Sequence, residues 1–202
     1  MMRIITGSAR GAKLIAPAGE LTRPTAERTK EAVFSMLQNE VAERRVLDLF
    51  GGSGQMGLEA LSRGAAHAVF VDHERAAIDA ITKNAAHTRL SDKAEIFRAD
   101  AVGFLRSYRG SPFHLIFLDP PYAGGIVPQC LALIAEKKML STGGIVVCET
   151  GDPDAVFADN AALQAQYTVL RRSRYGVAHI CLLTLCEAID TEGHYEHCIA
   201  TR

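Results

Sequence analysis

The chain has 202 residues, of which 48% are apolar and 22% charged, with a net charge of −1. That length buries a core within one domain, and the composition is that of a folded protein rather than a disordered chain. A near-neutral charge selects no partner, no apolar run approaches the roughly 20 residues that cross a bilayer, and the N-terminus lacks the apolar stretch of a signal peptide.

Residues 3–15 read as a short hairpin with candidate turns at Gly7 and Gly11. Residues 1–30 hold six cations (Arg3, Arg10, Lys13, Arg23, Arg28, Lys30) against two acids, Glu20 and Glu27. A patch of this kind suits a phosphate backbone and equally a solvated face. The hairpin reads as adding little apolar core, so Arg10 and Lys13 are read as functional. "TRPTAERTKEAVFSML" predicts a helix with Thr25 as N-cap and with Phe34, Leu37 and Val41 at helical spacing.

Short apolar runs then alternate with helical patterns. Strands are predicted over 46–50, 68–72, 94–98, 115–119 and 144–149, and Ile78, Ile81 and Ala85 share one helical face between the second and third. The alternation predicts a parallel sheet with helices on both faces. Residues 167–185 break the rhythm: two strand-like runs meet at a turn near Tyr175–Gly176, so one late strand runs antiparallel. Arg171, Arg172 and Arg174 in the first of these runs extend the basic surface or only solvate a sheet edge. The five cysteines, at 130, 148, 181, 186 and 198, form no CxxC pair and read as small core hydrophobes of a reduced, cytoplasmic protein. His194, His197 and Cys198 crowd the polar tail without a second ligand pair at zinc spacing, so no metal is assigned.

"VLDLFGGSGQMGLEAL" sets a strand, a glycine-rich turn and a helix in order, with Gly52, Gly54 and Gly57 as a GxGxxG element. Its glycines allow a tight turn and close approach of backbone to a ligand. Asp72 closes the next strand, where an acid takes ribose hydroxyls. Asp48, before the glycines, is set to face a cationic amino group, and Asp100 in "RAD" to receive the exocyclic amine of adenine. An amino acid, a ribose and an adenine on successive strand ends describe S-adenosylmethionine.

"LDLFGGSG", "FVDHER", "RADA" and "LDPPY", in this order, resemble the class I S-adenosylmethionine-dependent methyltransferases that act on amino groups. With "MRIITGSARGAKL" and "TRPTAERTKEAVFSML" ahead of them, residues 2–185 resemble the RsmD family of 16S rRNA guanine-N2 methyltransferases. The departures are Gln55 inside the glycine loop and the tail from Glu187, which has no counterpart.

The resemblance implies a Rossmann-like α/β fold: a mostly parallel seven-stranded sheet with a C-terminal antiparallel hairpin strand and an N-terminal β-hairpin. It divides the chain into an RNA-contacting extension (1–20), a methyltransferase domain (21–186) and a polar tail (187–202). It implies cofactor contacts from Asp48, Phe50, Gly52, Ser53, Gly54, Gly57, Asp72, His73, Asp100, Ala101 and Asp119. The reacting amine falls to Asp119, Pro120, Pro121 and Tyr122: two acceptors hold its N–H groups, the prolines fix the backbone, and the aromatic ring stacks the target base. RNA contacts fall to Arg3, Arg10, Lys13, Arg23, Thr25, Arg28 and Tyr122, with Thr25 and Arg28 also closing the cofactor pocket; Phe104 is read as core. S-adenosylhomocysteine is the implied product, and the implied partner is 16S rRNA in an assembled or assembling small subunit, with no membrane and no obligate protein partner. DNA adenine-N6 or protein glutamine-N5 methylation, a nicotinamide-dependent dehydrogenase, and a non-catalytic RNA-binding module are the rival readings. "DPPY" argues against the dehydrogenase, and the lack of a target-recognition domain against the DNA enzyme.

Overall fold

A computed structural model describes residues 2–18, 24–121 and 125–186, and of residues 24–26 the backbone alone. Seven strands form one sheet in the order β3-β2-β1-β4-β5-β7-β6. The five parallel strands are β1 (Arg45–Asp48), β2 (His67–Asp72), β3 (Ala94–Arg98) at one edge, β4 (Phe113–Leu118) and β5 (Leu140–Thr150). β7 (Ala178–Leu185) runs antiparallel to both β5 and β6 (Tyr167–Tyr175), and Gly176 sits in the turn between β6 and β7 at φ 62°. The Rossmann-like architecture expected from the sequence is the one observed. β1 stops at Asp48, two residues earlier than its apolar run, because the chain turns at Leu49 and Phe50 into the glycine loop.

Strand alternation divides the core between the two sheet faces. Leu47, Val69, Ile116, Val146 and Cys181 point to one face and meet α4 (Ala101–Ser107), α5 (Ile126–Glu136) and α6 (Ala161–Gln164). Val46, Phe70, Leu115, Val147 and Ile180 point to the other. There they meet α1 (Pro24–Met36), α2 (Gln55–Ser62) and α3 (Arg75–His87). Phe104 is 6% exposed and packs with Phe97 and Tyr108 at ring separations of 5.4 and 5.2 Å, as expected of a core residue. Cys130, Cys148 and Cys181 are buried, whereas Cys186 is exposed.

Three expectations about the N-terminal third are corrected. Thr25 does not precede the first helix: α1 begins at Pro24, whose missing N–H costs nothing at a first helical position. The helix also stops at Met36, so Leu37 and Val41 are buried from the turn that follows it. Lastly, the 3–15 segment folds back on itself as expected, through an antiparallel Arg3–Lys13 bridge and backbone bonds from Ile4 N to Ala12 O and Leu14 N to Met2 O at 2.9 Å, but it does feed the core. Ile4 is fully buried and Leu14 7% exposed, each contributing about 1.5–3 kcal/mol by leaving water.

Lys30, counted with the surface cations, is 1% exposed. Its ammonium donates to the Arg3 carbonyl at 2.6 Å and lies 3.9 Å from the fully buried Glu59 carboxylate. Burial lowers the Lys30 pKa, against the pull of Glu59 and Glu27.

Candidate active site

The sheet winds outward from β1 through β2 to β3, then restarts on the other side of β1 with β4. In open α/β sheets the crevice at the carboxyl ends of the strands, at such a switch, receives the ligand. Asp48 ends β1, Asp72 ends β2, and Asp100 and Asp119 follow β3 and β4 by two residues and one. Four neighbouring parallel strands thus deliver four acids to one edge.

The loop after β1 is shaped by backbone bonds. Gly51 N donates to Val71 O at 2.9 Å, and Gly54 N to Gly51 O at 2.6 Å. Gly52 and Gly54 take φ values of 52° and 76°, the left-handed region that glycine enters without penalty. Gly54 is the N-cap of α2. Gly57 is needed for packing instead, because a Cβ there would lie 2.3 Å from the Phe70 ring. Nothing stands within 4 Å of a Cβ built on Gly52, so the loop offers open backbone at the mouth of the crevice.

Asp48 is 3% exposed, and its Oδ2 accepts the Gly57 N–H at 2.9 Å. Burial pushes its carboxyl up to about 7; the Gly57 bond opposes this and the Asp72 charge adds to it. Among the described residues no cation pairs with Asp48 within 4.0 Å, and a buried acid of that kind fits an incoming ammonium group.

Asp72 accepts from Gly52 N at 2.8 Å through one oxygen and from Glu74 N at 2.9 Å through the other, which fixes its plane beside the loop. Asp100 caps α4 by accepting Gly103 N–H at 2.6 Å, and Ala101 begins that helix, buried. Phe50 is half-buried against the core, and Ser53 is 7% exposed with its hydroxyl donating to the Met2 sulfur at 3.1 Å. His73 is exposed, its two ring nitrogens 3.6 Å from Asp72 and 3.1 Å from Glu74.

Asp119 is exposed at the end of β4, Pro120 behind it is buried and Pro121 is exposed. Tyr122 and Arg23 lie outside the described residues, as do the tail residues His194, His197 and Cys198, and of Thr25 only the backbone is described. Arg10, Lys13 and Arg28 are exposed; Arg3 is exposed too but pairs with Glu27 at 2.7 Å.

Two residues that order this site were not singled out from the sequence. Glu59 accepts Ile5 N–H and Thr6 N–H at 2.7 and 3.0 Å and pairs with Arg63 at 2.8 Å. Asn84, 1% exposed, bonds both the N-terminal segment and the glycine loop. The available signal was position: Asn84 lies three residues after Ile81 and beside Ala85, a polar residue on an apolar helix face.

Residues 2–184 match the family described as conserved hypothetical protein 95. Ribosomal RNA small subunit methyltransferase D of Escherichia coli is 35% identical over 149 residues, 74% of each chain. The Bacillus subtilis protein YlbH is 43% identical over 150 residues, 73% of this chain and 82% of that one. Among solved structures, the Escherichia coli protein YhhF superposes with a TM-score of 0.77 at 31% identity, covering 91% of this chain and 97% of that one. The chain belongs to the conserved hypothetical protein 95 family, the RsmD-like class I S-adenosylmethionine-dependent methyltransferases.

Proposed function

We propose that this protein methylates the exocyclic N2 amine of a guanine in 16S rRNA, using S-adenosylmethionine and acting on the small ribosomal subunit. One observation carries the reading: Asp119 stands exposed at the switch-point end of β4, beside the strand whose glycine loop and buried Asp48 suit a cationic amino-acid ligand. The relatives named for methylation of small-subunit rRNA support the substrate class.

When bound, S-adenosylmethionine supplies an electrophilic methyl group on a sulfonium. Asp48 holds its ammonium, Asp72 its ribose hydroxyls and Asp100 the amine of its adenine, with Gly52, Ser53, Gly54, Phe50, His73 and Ala101 lining the same crevice. A guanine amine is a weak nucleophile because its lone pair is delocalised into the ring. The Asp119 carboxylate accepts one of its N–H bonds and the Pro120 carbonyl the other, which holds the nitrogen still and favours a tetrahedral form. Pro120 and Pro121 fix φ, so that carbonyl keeps its aim. Tyr122 stacks the extruded base. Positioning of this kind lowers a barrier by roughly 7–11 kcal/mol. Asp119 orients the amine, and the proton passes to water after transfer. Arg10, Lys13 and Arg28, with Arg3, Arg23 and Thr25, are assigned to the RNA backbone, where such contacts fix register.

The test is transfer of labelled methyl from S-adenosylmethionine to small subunits from cells lacking the gene, with nucleoside analysis and an Asp119→Ala variant alongside. N2-methylguanosine from the wild type, and at least a hundredfold lower rate from a folded variant, is the expected result. N6-methyladenine, labelled protein or no label at all would overturn the substrate.

A further inference from the structure

The carboxyl edge does not end at Asp119. Beyond β4, Thr150 ends β5 and pairs with His179 at the start of β7, which pairs in turn with Arg174 at the end of β6. These ends enclose a cavity of about 220 Å³, lined by Thr150, Pro153, Val156, Arg172, Arg174 and Cys181 among others. Arg172 pairs across the strands with Cys181 and is two residues from Arg174, so both guanidinium groups rise from one face. Both arginines are exposed, while Val156 and Cys181 beneath them belong to the core. The result is an apolar floor with a cationic rim.

On β6 and β7, which form one wall of the cavity, charge is one-sided. Residues 167–185 contain no acid, against Arg171, Arg172, Arg174 and His179. Asp152 and Asp154 flank Pro153, and the Asp152 carboxylate is turned back to accept the Asp154 N–H at 3.0 Å. The volume is below the roughly 300–1,000 Å³ of a drug-sized site, so the cavity takes a fragment rather than a whole cofactor. β7 and β6 stand two and three strands from β4, about 10 and 14 Å at the usual spacing, which is within reach of a chain that leaves its target base at Asp119.

We propose that this cavity is a second RNA subsite: Arg172 and Arg174 grip the phosphate of a nucleotide neighbouring the target, and its sugar lies against Pro153 and Val156. Guanidinium forks match phosphate oxygens in pairs, which a diffuse lysine surface does not. The inference rests on the rRNA reading above and assigns that substrate a path, across β4, β5, β7 and β6. A second cationic cavity, of about 420 Å³ beside Arg109, Lys137 and Lys138, lies at the amino edge, away from this path, and serves as the comparison.

The experiment compares Arg172→Gln/Arg174→Gln with Arg109→Gln/Lys138→Gln, which remove equal charge from the two edges. Methyl transfer to unmethylated small subunits, filter binding of rRNA over a salt series, calorimetric binding of S-adenosylmethionine and thermal melts are measured for each. The expected result is a KM and an RNA dissociation constant at least tenfold higher for the β6 pair alone. Its salt slope should fall by about one, for the one phosphate no longer neutralised, with cofactor affinity and melting temperature unchanged. Wild-type constants for the β6 pair, or equal weakening in both pairs, would overturn the subsite. Failure of the rRNA reading shows separately, as a wild type that labels no RNA. The filter-binding comparison then decides the subsite by the same criteria.

Discussion

The Asn84 side-chain amide joins the N-terminal segment to the glycine loop. Its Nδ2 donates to the Ser53 carbonyl at 2.8 Å and to the Ile15 carbonyl at 2.9 Å, while its Oδ1 accepts the Ile15 N–H at 2.9 Å. Three backbone groups more than 30 residues away in sequence thus share one buried partner. Asn84→Ala leaves them without it, at about 1–3 kcal/mol for each buried group that finds no replacement. The variant should melt several degrees lower and bind S-adenosylmethionine at least tenfold more weakly, because the loop carrying Ser53 loses its prop. Asn84→Asp keeps the acceptor for Ile15 N–H but faces two carbonyls with a buried carboxylate, and at neutral pH should be no milder than Asn84→Ala. Calorimetric titration of the folded variants decides this, and unchanged affinity would show that the loop holds its shape unaided.

Glu59 does for the other end of the segment what Asn84 does for Ile15. Its two oxygens hold the Ile5 and Thr6 amides, and Lys30 and Arg63 supply the counter-charges. Removing one partner from a buried charge pair costs about 3–5 kcal/mol, whereas replacing both with apolar groups is often neutral. Here the two amides also need an acceptor, so replacement of both charges should not be neutral. We expect Glu59→Ala to lose about 3–5 kcal/mol in urea unfolding and Glu59→Ala/Lys30→Met to regain only part of it. Full recovery would mean that the amide bonds contribute little.

The sheet was legible because its strands follow the simplest rule available. The inner parallel strands are short and largely apolar, and acids stand at or just past the ends of the four strands at the ligand edge, as in "VLD" and "FVD". The 94–98 strand was predicted with the bounds observed. What escaped was set by partners remote in sequence. Nothing local to Lys30 distinguishes it from Arg28, yet one is buried against Glu59 and the other exposed. The N-terminal hairpin looked like an appendage because its two core residues, Ile4 and Leu14, are ten positions apart and acquire meaning only against α1 and α2. Asp48, Asp72 and Asp100 were assigned from strand-end position alone, and strand order is what sets them side by side.

Gly7 and Gly11 share a backbone conformation and differ in their surroundings, so they make a paired test. Their φ values are +89° and +84°. A Cβ on Gly7 would lie 1.7 Å from the Ser62 carbonyl oxygen, the group that accepts Ser8 N–H at 2.8 Å, while a Cβ on Gly11 meets nothing within 4 Å. Gly11→Ala therefore carries only the left-handed penalty, roughly 1–2 kcal/mol. Gly7→Ala adds a backbone collision that the segment relieves only by leaving α2. It should cost more than Gly11→Ala and weaken S-adenosylmethionine binding as well, since Met2 and Ile15 approach Ser53 from the same segment. Equal melting temperatures for the two variants would refute the docking of this turn on α2.

Asp48 makes cofactor binding depend on pH. Its carboxyl, raised by burial to about 7, is half protonated near neutrality in the free protein. A bound ammonium group favours the ionised form, so binding expels a proton below pH 7. Between pH 7 and 5.5 the dissociation constant of S-adenosylmethionine should therefore climb by up to tenfold per unit, while the ligand's own amino group stays charged. The sign for stability is the opposite. The folded protein holds this proton more tightly than the unfolded chain, whose carboxyl has the ordinary value of 3.8. The contribution is therefore full below pH 3.8 and lost as pH rises through 7. Asp48→Asn keeps an oxygen for the Gly57 N–H and carries no buried charge. Free of cofactor, the variant should melt above the wild type at pH 8 by a few degrees, about 2–4 °C per kcal/mol at this size, with the gap closing towards pH 4. Its cofactor affinity should be at least tenfold weaker at pH 8 and flat down to pH 5.5. A wild type whose affinity is also flat across that range would show that Asp48 is already ionised before the ligand arrives.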